Sequence, residues 1–151
     1  MAQAGQIVRA VDFTPVVYAS LSTQFTNFST SDFEPTEPGV ALTFIAPSSG
    51  VVRLAVSERL NADDPNERIR SDVEIRITDA EGTVVHSPTV TDAQGIHMDF
   101  PTEPDAGLYA TFPGWRYVSG LEPGQTYWVQ LQHNTAGMNL EAQNLIVEGI
   151  W

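Results

Sequence analysis

Two residue types are missing from this chain altogether. It has no cysteine, which excludes disulfides, thiolate metal sites and cysteine nucleophiles. It also has no lysine: the seven basic residues are all arginine, against 19 Asp and Glu, for a formal net charge of −12. So acidic a chain cannot neutralise a run of phosphates, so neither nucleic acid nor a membrane is an expected partner. Long apolar runs are missing too. Nothing approaches the roughly 20 residues that cross a bilayer. The opening stretch Met1–Phe13 lacks the apolar region of a secretory signal, so the expectation is a protein made in the cytoplasm and not exported by the usual route. Charged residues are 17% of the chain, below the usual quarter, while 42% hydrophobic residues suffice for a core. A length of 151 residues fits one domain.

What is present is alternation with a period of two. Val73, Ile75 and Ile77 alternate with Asp72, Glu74, Arg76 and Thr78; Val52, Leu54 and Val56 with Arg53, Ala55 and Ser57; Tyr127, Val129 and Leu131 with Thr126, Trp128, Gln130 and Gln132. Successive side chains of a strand point to opposite faces, so each segment has a core face and an outer face, the signature of half-buried antiparallel strands. Further strands are expected at Ile7–Val11, Val16–Leu21, Leu42–Ala46, Thr83–His86, Ile96–Phe100, Gly107–Tyr117 and Leu140–Ile150. No helical face exceeds two turns; the best candidate, Ser57–Ile69, is broken by Asn61, Asp63 and Pro65.

Turn signals separate these segments. Pro47-Ser48-Ser49-Gly50 predicts a hairpin between the strands on either side. Asp79-Ala80-Glu81-Gly82 predicts another, with Gly82 in the left-handed position. Glu122-Pro123-Gly124 and Glu37-Pro38-Gly39 read as Pro-Gly turns entering strands, and Glu103-Pro104 as a third such entry. The expected fold is all-β: an antiparallel sandwich or jelly roll of about eight to ten short strands. Residues 37–151 form the sandwich. Residues 1–36, polar and sparse in core signal, form an N-terminal arm or edge segment, whose Phe25, Phe28 and Phe33 are candidates for contacting a neighbour.

Chemistry is hard to find. His86, His97 and His133 have no metal-ligand spacing and read as surface or strand-end histidines. Pro47–Gly50 is not the Gly-x-Ser-x-Gly of a nucleophile elbow. The acidic stretch Asn61–Arg68 offers oxygens to a cation but lacks the central glycine and spacing of a calcium loop, so it reads as a solvated loop. No catalytic residue, metal or cofactor is assigned, and the chain is read as a non-enzyme. Trp115, Tyr117, Trp128 and Trp151 could form a sugar platform, but Trp128, opposite a core-facing run, reads better as an interface anchor. The apolar end Leu145–Trp151 also needs cover. Trp128, Ile150 and Trp151 are therefore the candidates for an oligomer interface.

Two motifs carry a resemblance. Phe44-Ile45-Ala46-Pro47-Ser48-Ser49-Gly50-Val51-Val52-Arg53-Leu54 resembles the F-x-A-P-x-S-G-x-V strand–turn–strand of small virion proteins encoded by phages and prophages of actinobacteria. Gly120-Leu121-Glu122-Pro123-Gly124-Gln125-Thr126-Tyr127-Trp128-Val129, followed by His133-Asn134, is similar to a G-L-x-P-G-x-T-Y-x-V entry to a late strand in such proteins. The likeness spans most of residues 25–147. It implies a structural role: a capsid decoration, or cement, protein on the virion surface that binds the major capsid protein and stabilises the shell, assembled as a homotrimer. The alternatives are a tail, baseplate or receptor-binding component, or a carbohydrate-binding β-sandwich module.

Overall fold

The computed structural model describes residues 16–62, 68–89, 96–99 and 108–150. They form ten strands and no helix: β1 (Val17–Leu21), β2 (Phe25–Phe28), β3 (Ala41–Ile45), β4 (Val52–Ala62), β5 (Arg68–Ile77), β6 (Val84–His86), β7 (Ile96–Asp99), β8 (Leu108–Val118), β9 (Thr126–Ala136) and β10 (Met138–Gly149). Every pairing is antiparallel. Sheet A runs β1-β10-β4-β8, with β2 also on β10; sheet B runs β3-β9-β5-β6, with β7 also on β5. If β1 with β2, and β6 with β7, are each taken as one interrupted strand, the orders become 1-8-3-6 and 2-7-4-5, the strand order of an eight-stranded jelly roll.

The two sheets bury the alternating residues between them. Val52, Leu54, Val56, Leu145 and Val147 of sheet A face Phe44, Val73, Ile75, Tyr127, Val129 and Leu131 of sheet B in the main core. Leu60, Ile69, Met138 and Leu140 make a second, smaller cluster. Each such side chain taken fully out of water contributes about 1.5–3 kcal/mol, which drives the closure of the sandwich. The apolar C-terminal run gets its cover as β10, a central strand held between β1 and β4. Its end is pinned by the Ile150 N–H donating to the Val51 carbonyl at 3.0 Å, and by the Ser49 hydroxyl donating to the Ile150 carbonyl.

Several local expectations change. The Pro47–Gly50 turn does not make a hairpin: β3 pairs with β9 in sheet B, and β4 with β10 and β8 in sheet A. Both flanking strands put apolar residues inward, and facing them across the core rather than side by side buries both sets. The turn after β5 does make a hairpin with β6, but the left-handed residue is Thr78, at φ 72°, not Gly82. Gly82 is required by close approach, since a Cβ there would lie 1.7 Å from the Ile77 carbonyl oxygen. Pro123-Gly124 is the expected Pro-Gly turn: Gln125 N–H donates to the Glu122 carbonyl at 3.1 Å, and Gly124 has φ 79°. Glu37-Pro38-Gly39 is a different turn, with a cis Glu37–Pro38 bond and no positive φ at Gly39. Strands β4, β5 and β9 run past their expected ends, and β2 was not expected. The expected Ile7–Val11 strand lies outside the described residues.

The two resemblance motifs meet at one end of the sandwich. Ala46 N–H donates to the Gln125 carbonyl, Gly124 N–H to the Ala46 carbonyl and Leu121 N–H to the Gly50 carbonyl, all within 2.9–3.1 Å. Phe44 stacks on Tyr127 beneath them, with centroids 5.7 Å apart. Among the glycines of these two motifs, Gly50 is the most tightly enclosed. Its φ is +67°, and a Cβ would lie 2.4 Å from the Leu121 carbonyl oxygen. Gly50→Ala should therefore cost about 2 kcal/mol or more, from strain plus backbone displacement. Gly120→Ala, at φ +81° with nothing within 4 Å of its Cβ, should cost only the backbone strain, about 1 kcal/mol. Thermal melts of the two variants check the difference.

Candidate functional site

Three places gather side chains that the core pattern alone does not require. The first is inside. Along β4 the inward residues read Val52, Leu54, Val56, Glu58, Leu60; along β9, Tyr127, Val129, Leu131, His133, Thr135. Glu58 pairs in register with Gln143 of β10, and Ser71 of β5 with His133. One layer of the interior is thus polar, lying between the two apolar clusters. His133 Nε2 meets Glu58 Oε1 at 2.5 Å, and the Ser71 hydroxyl donates to Glu58 Oε2 at 2.5 Å. The Thr36 hydroxyl accepts from Gln143 Nε2 at 3.3 Å and donates to the Pro38 carbonyl at 2.9 Å.

Glu58 and His133 have 0% side-chain exposure. Ser, His and a carboxylate are the ingredients of a nucleophilic triad, but their order is wrong. The Ser71 hydroxyl donates to Glu58 and not to the imidazole that would take its proton, and no substrate reaches a fully enclosed group. His133 Nδ1 is buried with no partner, while the Phe28 ring and the imidazole meet edge to face, with centroids 6.0 Å apart. The arrangement is a polar tie between the sheets.

The second place is the edge where β8 of sheet A faces β5 and β6 of sheet B. Arg116 reaches across to Asp72 at 2.6 Å and also donates to His86. Asp72 further accepts the N–H groups of Val73 at 2.8 Å and Thr89 at 3.0 Å. Burial pushes the Asp72 carboxyl above its ordinary range, opposed by the Arg116 charge and these donors. Burial, and then the Arg116 guanidinium, push His86 down to about 4.

The third place is outside. Tyr18, Ile146, Ala55 and Trp115 pair in register across β1, β10, β4 and β8, and so form one row on the outer face of sheet A. Tyr18 is 76% exposed, Trp115 63% and Ile146 37%. Trp115 meets Tyr117 edge to face, with centroids 5.4 Å apart. Small residues Ala55, Ser57 and Gly114 leave a groove of about 250 Å³ between the walls Trp115 and Ile146, with Arg53 at one end. Arg53 is paired with Glu148 at 2.5 Å.

Residues 16–36, expected as an arm or edge segment, run along the sandwich. β1 lies at the edge of sheet A and β2 follows it on β10, while Glu34 bridges to His133 of β9. Phe25 and Phe28 are half-buried against Leu60, Ile69, Met138 and Leu140 of the same chain, and Phe33 is half-buried. The structure does not bring Trp128 and Ile150 into the aromatic row. Trp128 sits half-buried on the outer face of sheet B between Thr43 and Arg76, and Ile150 follows β10, bonded to Val51. Trp151 and residues 63–67 of the Asn61–Arg68 loop lie outside the described residues.

Of the histidines, His133 corrects the surface or strand-end reading: it is wholly buried, because it has Glu58 to bond. It does not converge with His86, which belongs to the Arg116 edge. His97 lies on β7. Glu58 and Ser71 were missed; of the exposed surface, Trp115 and Tyr117 were named as aromatic candidates, but Tyr18 and Ile146, which complete it, were not. Among the described residues, no group of three His, Asp or Glu side chains could hold a metal ion, and no helix is long and apolar enough to cross a membrane. No family model matches the chain, and no curated protein matches it.

Proposed function

We propose that the chain is a structural component of a phage virion, in the position of a capsid decoration protein that binds the assembled major capsid shell and stabilises it. The observation that carries this reading is the distribution of its side chains between inside and outside. The groups that resemble chemistry, Ser71, Glu58 and His133, are sealed between the sheets, while Trp115, Tyr117, Tyr18 and Ile146 stand exposed. A side-chain economy of that kind suits a body that works by being bound. The two motifs similar to those of actinobacterial phage virion proteins supply the setting, and jelly rolls are frequent among capsid domains. A tail or baseplate location is the alternative within the same reading.

The test is reconstitution. Particles of a phage carrying this gene, made without the protein, should assemble and then lose integrity at a lower temperature than complete ones. Added purified protein should bind them and restore the difference. Shells that neither bind the protein nor change in stability would overturn the decoration reading. The homotrimer that the resemblance implies is tested by the oligomeric state of the purified chain.

A further inference from the structure

We propose that the outer face of sheet A is the contact between two copies of this chain, related by a twofold axis that runs along the strands between β10 and β4. Such an interface is isologous: each residue meets its counterpart's partner. The registers give the consequences. With β10 of one copy over β4 of the other, Ile146 falls over Ala55 of the second copy, into the groove between Trp115 and Ile146. Tyr18 falls over Trp115 of the second copy, an aromatic pair at each end of the row. In the next row Glu148 falls over Arg53 of the second copy and Arg53 over its Glu148. On the other side Asn144 falls over Ser57 of the second copy. A knob thus meets a hollow, and charge meets opposite charge, with no residue left facing its own sign.

Charge also points to this face. Two chains of net charge −12 repel, so they can associate only through a locally neutral surface. The described charged groups on this face are Arg53 with Glu148 at 2.5 Å and Arg59 with Glu141 at 2.9 Å, which cancel. Size is adequate. Strands β4, β8 and β10, of 11–12 residues, and β1 of 5 residues continued by β2 of 4, lie about 4.8 Å apart and cover roughly 650 Å². That is close to the roughly 800 Å² per partner of an ordinary stable interface. Sheets stacked face to face in this way pack aligned, within about 30°. A glycan is the competing occupant of an exposed Trp115, but the groove floor, built of Ala55, Gly114 and Ser57, offers few of the hydrogen-bond donors that a sugar needs. The inference is independent of the virion reading and stands or falls without it.

The experiment is sedimentation of the purified full-length chain at tens of micromolar. The expected species is a dimer, twice the 16.5 kDa chain mass. Ile146→Asp, which puts a carboxylate into the groove of each partner, should give a monomer with unchanged circular dichroism, and Ala55→Trp, which fills the hollow, should do the same. Val84→Asp, at an exposed position of sheet B, should leave the dimer intact. A monomeric or trimeric wild-type chain would overturn the proposal, as would an Ile146→Asp or Ala55→Trp chain that remains a dimer. A wild-type monomer that binds a polysaccharide, and loses it on Trp115→Ala, would assign the face to sugar instead.

Discussion

Glu58→Ala should lower the melting temperature by about 10 °C or more, corresponding to about 3–5 kcal/mol for breaking a fully buried, hydrogen-bonded pair from one side. The cost arises because His133 Nε2 and the Ser71 hydroxyl both spend their hydrogen bonds on this carboxylate, and no water can replace it at 0% exposure. His133→Ala should cost a similar amount, since it strands the carboxylate. The double variant should cost much less than the sum, because each single substitution removes the same tie. Replacing the group together, Glu58→Leu with Ser71→Ala and His133→Phe, should return stability to near wild type, since a well-packed apolar layer carries no desolvation cost. What the triple variant forfeits is a pairing key. Glu58 can find its partners only if β4, β5 and β9 stand in their present registers, whereas an all-apolar interior would accept a two-residue slip as readily. Denaturant titrations of the four proteins measure the cycle; an unchanged midpoint for Glu58→Ala would refute the tie.

Arg116→Ala should cost about 3 kcal/mol near neutral pH, the lower end for a buried pair, because Arg116 is itself slightly open to solvent and Asp72 is not. The loss should shrink in acid. Burial already holds the Asp72 carboxyl above its ordinary range, and without the guanidinium it goes higher, so protonation relieves the variant first. In the wild-type protein the pH dependence at this edge has two opposed parts. His86 titrates at about 4 when folded and near 6.5 when unfolded, so between those values the unfolded chain holds more protons and stability falls as pH drops from 6.5 to 4. Asp72, raised when folded, works the other way: the folded chain takes up its proton first, so this part gains stability as pH falls toward 3.8. His86→Gln should remove the first part and leave the second unopposed, so that as pH drops from 6.5 to 4 the melting temperature of the variant falls less than that of the wild type, or rises. Equal slopes for the two proteins would show that His86 does not titrate as its surroundings dictate.

The strands were legible in the sequence because one face of each is buried and the other is not, which writes a period of two into the residues. The layering was less so. Val52–Ser57 and Thr126–Gln132 stop, as alternating apolar runs, one residue short of Glu58 and His133. The inward polar residues that make the interior tie look, in one dimension, like the ends of strands. Only the facing sheets show that they are the middle. The Pro47–Gly50 turn misled for a related reason: a turn signal marks where the chain reverses, not whether the next strand pairs beside its predecessor or crosses to the opposite sheet. Phe25 and Phe28 could be seen to need cover, but sequence alone cannot distinguish a neighbour from the chain's own Leu60 and Met138. The exposed row was hidden in a different way. Tyr18, Ile146, Ala55 and Trp115 are far apart in the chain, and only the pairing of four strands sets them side by side.

The proposed role is that of a sandwich bound in an assembly, with its polar interior closed and Tyr18, Trp115, Tyr117 and Ile146 exposed. The direct measurement is the number of copies per purified virion, by quantitative mass spectrometry against the major capsid protein. The account predicts a copy number that scales with that of the capsid subunit and survives extensive washing; particles without the protein, or with only a handful of copies, would contradict it.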